Sequence, residues 1–202
     1  REKVALPGRD DLKLVDRRRP TGPFEEYECF KPDENGVPLM ADFGSGYRLH
    51  YNSSVHDFHG HRTPPADLKA ISSLIERLET KLTSHLDEIQ QVEEMLLDDA
   101  EIAVYAFGTT ARAAKQAVQM ARDEGIKVGL LRPITIWPFC DKAVNEVAKQ
   151  VKTIIVAEMN MGQMYYEVQR ASAGQARIEL LSRYDTQIIT PQQVLEKIRE
   201  AR

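Results

Sequence analysis

The sequence predicts an α/β protein built on a mostly parallel sheet covered by helices on both faces. Three observations lead to that class. Over residues 99–202, short apolar runs of strand length alternate with helix-length segments, the pattern of a sheet whose crossovers are helical. The runs 102–107 and 153–157 are apolar almost throughout, as strands buried on both faces must be. The helix between the first two runs carries Ala113, Ala114, Ala117, Val118 and Ala121 on one face, small enough to lie close against a sheet.

Element by element, residues 102–107 form a strand ending at Gly108, and Thr109-Thr110 are suited to cap the next helix. That helix covers 111–124 and is closed by Gly125. A strand at 127–131 ends at Arg132-Pro133. A helix at 141–151, a buried strand at 153–157, a helix at 162–172 and a strand at 177–181 follow. Pro191 opens a last helix running to Ala201.

Two segments precede this α/β region. Residues 67–98 place Leu68, Ile71, Ile75, Leu78, Leu82, His85, Ile89, Val92 and Leu96 at spacings of three and four. That spacing predicts one helix of roughly 30 residues, on the order of 45 Å long. Its eight acidic and three basic residues predict an acidic outer face. Its narrow apolar stripe suits a helix laid across its own or a neighbouring domain, or pairing across a dimer. Residues 1–66 hold Pro20, Pro23, Pro32, Pro38, Pro64 and Pro65 and no sustained hydrophobic period, so extended chain and turns are expected. Phe24, Tyr27, Phe30, Phe43, Tyr47 and Tyr51 are too apolar for a free linker, which suggests a docking arm lying on a surface.

Composition narrows the function. A net charge of −4 gives no electrostatic case for nucleic acid. No apolar run approaches the ~20 residues needed to cross a bilayer, and Arg1-Glu2-Lys3 is unlike a secretory signal. Cys29 and Cys140 lie far apart without CxxC spacing, which fits free thiols in a reducing cytoplasm.

Four signals bear on chemistry. Gly108, Thr109 and Thr110 form a strand-turn-helix that is either a tight capped turn or an anion site, able to take a phosphate of a nucleotide or of coenzyme A. Glu158-Met159-Asn160-Met161-Gly162-Gln163 follows a buried strand, where open α/β sheets bind ligands, although helix capping or docking is the plainer use. His50, His56, His59 and His61 cluster around Asp57, which is either incidental or a zinc or nickel site. Residues 132–139 bracket the single Trp between two prolines, as a rigid surface ridge or a buried crossover would. Arg17-Arg18-Arg19 is followed by acidic residues, as in a salt-bridged turn. No catalytic triad or paired-carboxylate spacing is visible.

The order of several motifs resembles one family. Gly108-Thr109-Thr110-Ala111-Arg112, the stretch from Gly125 to Phe139, and Glu158 to Gln163 are similar to the second domain of 2-oxoacid:ferredoxin oxidoreductase alpha subunits. Arg18-Arg19-Pro20-Thr21-Gly22-Pro23, Gly46-Tyr47-Arg48, His56-Asp57, Leu97-Asp98-Asp99-Ala100-Glu101 and Ile189-Thr190-Pro191 resemble the 2-oxoglutarate-type members. Asn52-Ser53-Ser54 departs from that pattern, as do His59-Gly60-His61, Cys140 and Tyr184-Asp185-Thr186.

The resemblance implies three layers around a sheet of about five strands, similar to the C-terminal domain of transketolase. It also implies a structural and assembly role, inactive alone, in a cytoplasmic complex that converts a 2-oxoacid to an acyl-coenzyme A and reduces ferredoxin. The expected partners are the thiamine-binding domain of the same subunit, a beta subunit, ferredoxin through the complex, and a second copy in a dimer. No cofactor is expected on this chain. Thiamine diphosphate, iron–sulfur clusters and coenzyme A belong to the full complex, and the thiamine contacts are expected upstream of Arg1. His56, Asp57, Glu158, Asn160 and Gln163 are then docking or interface residues, and no residue is assigned to catalysis.

Overall fold

The computed structural model describes residues 5–12, 16–50 and 54–202. Arg1-Glu2-Lys3, Tyr51 and Asn52-Ser53 lie outside the described residues. The chain divides into two compact units, Arg1–Ser84 and His85–Arg202.

The second unit is the α/β sandwich. Its elements are α2 (Leu86–Ile89), β1 (Val92–Met95), β2 (Ile102–Ala106), α3 (Gly108–Asp123), β3 (Val128–Pro133), α4 (Asp141–Gln150), β4 (Thr153–Glu158), α5 (Gln163–Ser172), β5 (Arg177–Ser182) and α6 (Pro191–Glu200). Five strands are ordered β1-β3-β2-β4-β5, with β1 antiparallel to β3 and the other pairs parallel.

Side chains alternate along the central strands, so each strand feeds two cores. Ile102, Val104 and Ala106 of β2 pack with Ile155 and Ala157 of β4 beneath α3 and α6. Ala103 and Tyr105 pack with Ile154 and Val156 beneath α4 and α5. The alanine face of α3 is buried in the first core, as its small side chains predict. Thr190 caps α6 by accepting from the Gln193 N–H, while the Gln193 side chain accepts from the Thr190 N–H.

The helix predicted over 67–98 is not continuous. A helix α1 (Leu68–Thr83) belongs to the first unit, α2 is a single turn, and Val92–Met95 is an edge strand. Tertiary contacts override the heptad spacing here. Pairing with β3 satisfies the backbone of β1 and sets Glu93 opposite Arg132, joined at 2.8 Å. Lys115 of α3 approaches Glu93 at 3.2 Å, and these two cations hold its carboxyl below the usual range. Within α1, Leu68, Ile75 and Leu78 remain exposed.

The rest of the first unit packs its aromatics on one another. Phe24 meets Tyr47 edge-on at 4.6 Å, and Tyr27 lies 4.9 Å from Tyr47. The Tyr27 hydroxyl donates to Leu39 O and accepts from Ala41 N–H. Arg17 and Arg19 pair with Asp42, and Arg18 pairs with Asp33. This packing engages part of a segment rich in proline, while Phe43 and much of Phe24 remain exposed.

The connection from β1 to β2 crosses closely over β3. A Cβ on Gly129 would lie 2.6 Å from both Leu96 O and Leu97 Cδ2. Arg122 fixes this crossing by donating to Leu96 O at 2.6 Å and to Val128 O at 2.7 Å. Gly129→Ala is therefore expected to destabilise the second unit by about 1–3 kcal/mol, read as a lower melting temperature. An unchanged melting temperature would show that the crossing loop yields freely.

Candidate functional site

Because β2, β3, β4 and β5 are parallel, their following loops emerge at one edge of the sheet. That edge brings the turn at Gly108-Thr109-Thr110 together with the segment Glu158 to Gln163. Thr109 Oγ1 lies 4.0 Å from Met159 Sδ.

Gly108 adopts φ +56°, a left-handed conformation that favours glycine although a Cβ there would meet no atom within 4 Å. The expected threonine cap is absent. Phe107 is the N-cap residue and makes no side-chain cap bond, Thr109 sits in the first turn, and Thr110 is buried within it. The helix starts one turn earlier than the threonines suggested, because glycine carries the chain directly from strand into helix. The N-cap side chain thus offers the first-turn amides of α3 no acceptor.

The segment after β4 is organised differently. Glu158 is 1% exposed, and its two carboxylate oxygens accept from Met164 N–H at 3.0 Å and Tyr165 N–H at 2.9 Å. Asn160 Oδ1 accepts from the Gly162 and Gln163 N–H groups, both at 2.8 Å. Ser182, at the end of β5, donates to Asn160 O at 2.5 Å. These bonds satisfy the start of α5 from beneath, which is the capping use that the sequence allowed. The contribution of Ser182 comes through the sheet and was not singled out from sequence.

With those polar groups engaged inward, the edge faces outward with apolar side chains. Ile134, Ile136 and Trp137 after β3, Met159 and Met161 after β4, and Tyr184 and Ile188 after β5 are all exposed. The 132–139 segment is the ridge reading: Trp137 is 67% exposed while Phe139 is buried. Thr135 donates to Ile89 O and Gln90 donates to Phe139 O, which fixes the ridge from below.

Two reactive side chains lie under this edge and neither is activated. Burial, then Asp141, push the Cys140 thiol above its ordinary value, against a weaker opposing backbone contact from Gln91. Burial, then the neighbouring Cys140, Glu158 and Glu167, push the Tyr105 phenol up. The Tyr105 hydroxyl has no hydrogen-bond partner among the described residues.

His56 and Asp57 belong to the other unit. His56 stacks on Phe30 with ring centroids 3.9 Å apart, His59 lies 3.7 Å from Glu28, and His61 lies 3.4 Å from Asp57. Among the described residues no group of three or more His, Cys, Asp or Glu is arranged to hold a metal ion. No helix among them is long and apolar enough to cross a membrane.

Two substitutions separate structure from chemistry at this edge. Glu158→Leu leaves two partly buried amides without that acceptor and is expected to destabilise the second unit by about 1–3 kcal/mol, with Glu158→Gln costing less. Tyr105→Phe removes an unpaired buried hydroxyl and is expected to be neutral or stabilising by about 1 kcal/mol. Because the folded-state phenol is raised, its contribution is intact below the ordinary tyrosine value and is lost as the pH climbs beyond it. Denaturant titrations at neutral and alkaline pH should therefore show a shallower alkaline loss in Tyr105→Phe; an equal loss would place the alkaline sensitivity elsewhere.

Comparison with known proteins adds the lineage. Residues 100–194 match the family described as pyruvate:ferredoxin oxidoreductase core domain II. The chain is 39% identical over 98% of its length to 2-oxoglutarate synthase subunit KorA of Methanothermobacter thermautotrophicus, and 33% identical over 96% to that of Methanocaldococcus jannaschii. It spans about half of those relatives, 52% and 50% of their lengths. Ketoisovalerate oxidoreductase subunit VorB of Methanothermobacter thermautotrophicus is 47% identical, but over 54% of this chain and 30% of its own.

The fold matches a solved structure of 2-oxoglutarate:ferredoxin oxidoreductase from Magnetococcus marinus, itself bound to 2-oxoglutarate, coenzyme A and succinyl-CoA. The TM-score is 0.79 at 19% identity, covering 96% of this chain and 34% of that one. The resemblance carried by the ordered motifs is thus borne out: residues 100–194 match the pyruvate:ferredoxin oxidoreductase core domain II family, within a chain similar to KorA subunits along nearly all its length.

Proposed function

We propose that this chain is the C-terminal part of the alpha subunit of a 2-oxoacid:ferredoxin oxidoreductase that acts on 2-oxoglutarate. The observation that carries the substrate is the extent of similarity. KorA subunits align with both units, whereas the VorB subunits, though more identical, align over little more than half the chain. The reaction so proposed is oxidative decarboxylation of 2-oxoglutarate to an acyl-coenzyme A with transfer of electrons to ferredoxin.

Within that complex this chain serves assembly. The polar side chains at the sheet edge, Glu158 and Asn160, are used in holding α5, and the outward surface is apolar. The edge is the docking face for the thiamine-binding domain of the subunit and for the beta subunit, with Gln163 as a further contact; His56 and Asp57, in the first unit, are engaged by Phe30 and by the His59 and His61 amides there. The complex is a cytoplasmic dimer that passes electrons to ferredoxin. An iron–sulfur cluster does not fit these residues: the two cysteines, Cys29 and Cys140, are buried and unpaired, where a cluster takes about four thiolates.

Viologen reduction tests the activity. The complete alpha subunit, produced with its beta subunit and supplied with thiamine diphosphate and coenzyme A, should reduce viologen with 2-oxoglutarate far faster than with pyruvate or ketoisovalerate. A preference for ketoisovalerate would overturn the substrate; a loaded complex that reduces nothing would overturn the activity. Trp137→Asp and Met161→Asp test the docking face. Each should weaken co-purification of the subunits at least about tenfold while leaving the melting temperature of this chain unchanged.

A further inference from the structure

The unit Arg1–Ser84 contains an open cleft of about 390 Å³ between α1 and the turn closed by the His56–Arg62 bridge. Phe58, Ala70 and Leu74 give it an apolar wall, and His56, Asp57 and Arg77 are its ionisable groups. A few polar groups converging on an apolar concavity of this size is the usual make-up of a small-molecule site.

The state of each charge decides what fits. Asp57 is already compensated. Its Oδ1 accepts from His59 N–H at 2.9 Å and His61 N–H at 2.8 Å, and His61 Nδ1 lies 3.4 Å from Oδ2. Burial alone would raise its carboxyl, but those two amides and the neighbouring imidazoles hold it below its ordinary value. His56 is oriented: Nδ1 faces Asp57 O at 3.0 Å, and because a carbonyl only accepts, that nitrogen carries a proton.

Arg77 differs from both. Its Nη1 donates to Gly36 O at 3.2 Å, and among the described residues no carboxylate is paired with it. A half-buried guanidinium with one neutral partner has further donors in a rigid fork.

We infer that this cleft binds a small amphipathic monocarboxylate, its carboxylate on Arg77 and its apolar body against Phe58, Ala70 and Leu74. A neutral ligand would desolvate the guanidinium without compensating it. A dianion would bring a second negative charge towards Asp57. One carboxylate on an apolar body matches the single cation that lacks an anionic partner here. The site lies within the first unit and does not rest on the proposed reaction.

The probes are hydrocinnamate and its neutral amide, hydrocinnamamide, titrated by saturation-transfer NMR into the full chain and into Arg77→Gln and Ser73→Trp. Ser73 is exposed and lines the cleft, so a tryptophan there fills the opening without entering a core. Hydrocinnamate should bind in the millimolar range, at least about tenfold tighter than the amide. Arg77→Gln should abolish that preference, and Ser73→Trp should abolish binding of both. Equal binding of acid and amide by the unsubstituted chain overturns the inference, as does binding that survives Ser73→Trp. No binding of the acid also overturns it. If Ser73→Trp then impairs assembly with the rest of the subunit, the cleft receives protein instead.

Discussion

Strands β2 and β4 lie side by side at the centre of the sheet, and both faces of each are buried. Their peptide groups have no access to water, so each N–H and C=O must be matched by a neighbouring strand in register. That constraint places β3 and β5 on either side, and the parallel direction of all four requires helical crossovers. The strict two-residue alternation then divides the side chains between a core under α3 and α6 and a second under α4 and α5. The alanines of α3 belong to the same logic, since bulkier residues there would lift the helix from the sheet.

Where the alternation reaches the end of β4, it turns an acidic side chain inward. Glu158 follows Ile154 and Val156 on the same face of the strand. A buried carboxylate without partners costs several kcal/mol, and here the partners are two amides in the first turn of α5. Those amides are also groups that a helix start must satisfy somehow. One interaction therefore meets two demands, and Asn160 extends it to Gly162 and Gln163. With both oxygens so engaged, an acidic residue at the C-terminal edge of a parallel sheet acts as a structural anchor.

The four parallel strands, the three crossover helices and the last helix were legible because each is long enough to show its own period. The edge strand β1 was not. Val92 and Leu96 continue a three-and-four spacing begun at Leu68, and only pairing with β3 reveals Val92–Met95 as extended chain. Likewise Thr109 and Thr110 carry the composition of a cap, yet Gly108 at positive φ starts the helix before them. The loop after β4 was visible as the end of a buried strand, but its bond to Ser182 joins residues 22 apart and has no local signature. In the first unit the apolar character of the chain was plain, whereas the hydroxyl of Tyr27 holding Leu39 and Ala41 was not. Local propensity records what each segment prefers; the helix start was settled by the backbone of the adjacent glycine, and the other three outcomes by partners distant in sequence.

The same economy of polar groups explains the surface of the sheet edge. A loop cluster that left amides and carboxylates unpaired would need water, and a partner covering it would have to replace every one of those bonds. Here the segment after β4 is satisfied from within, so covering Trp137, Met161 and Tyr184 would remove apolar area from water at little polar cost. An edge built in this way is stable by itself and is also favourable to cover. Satisfying the polar groups from within and presenting apolar side chains outward are thus two results of the same arrangement at the C-terminal edge of the sheet.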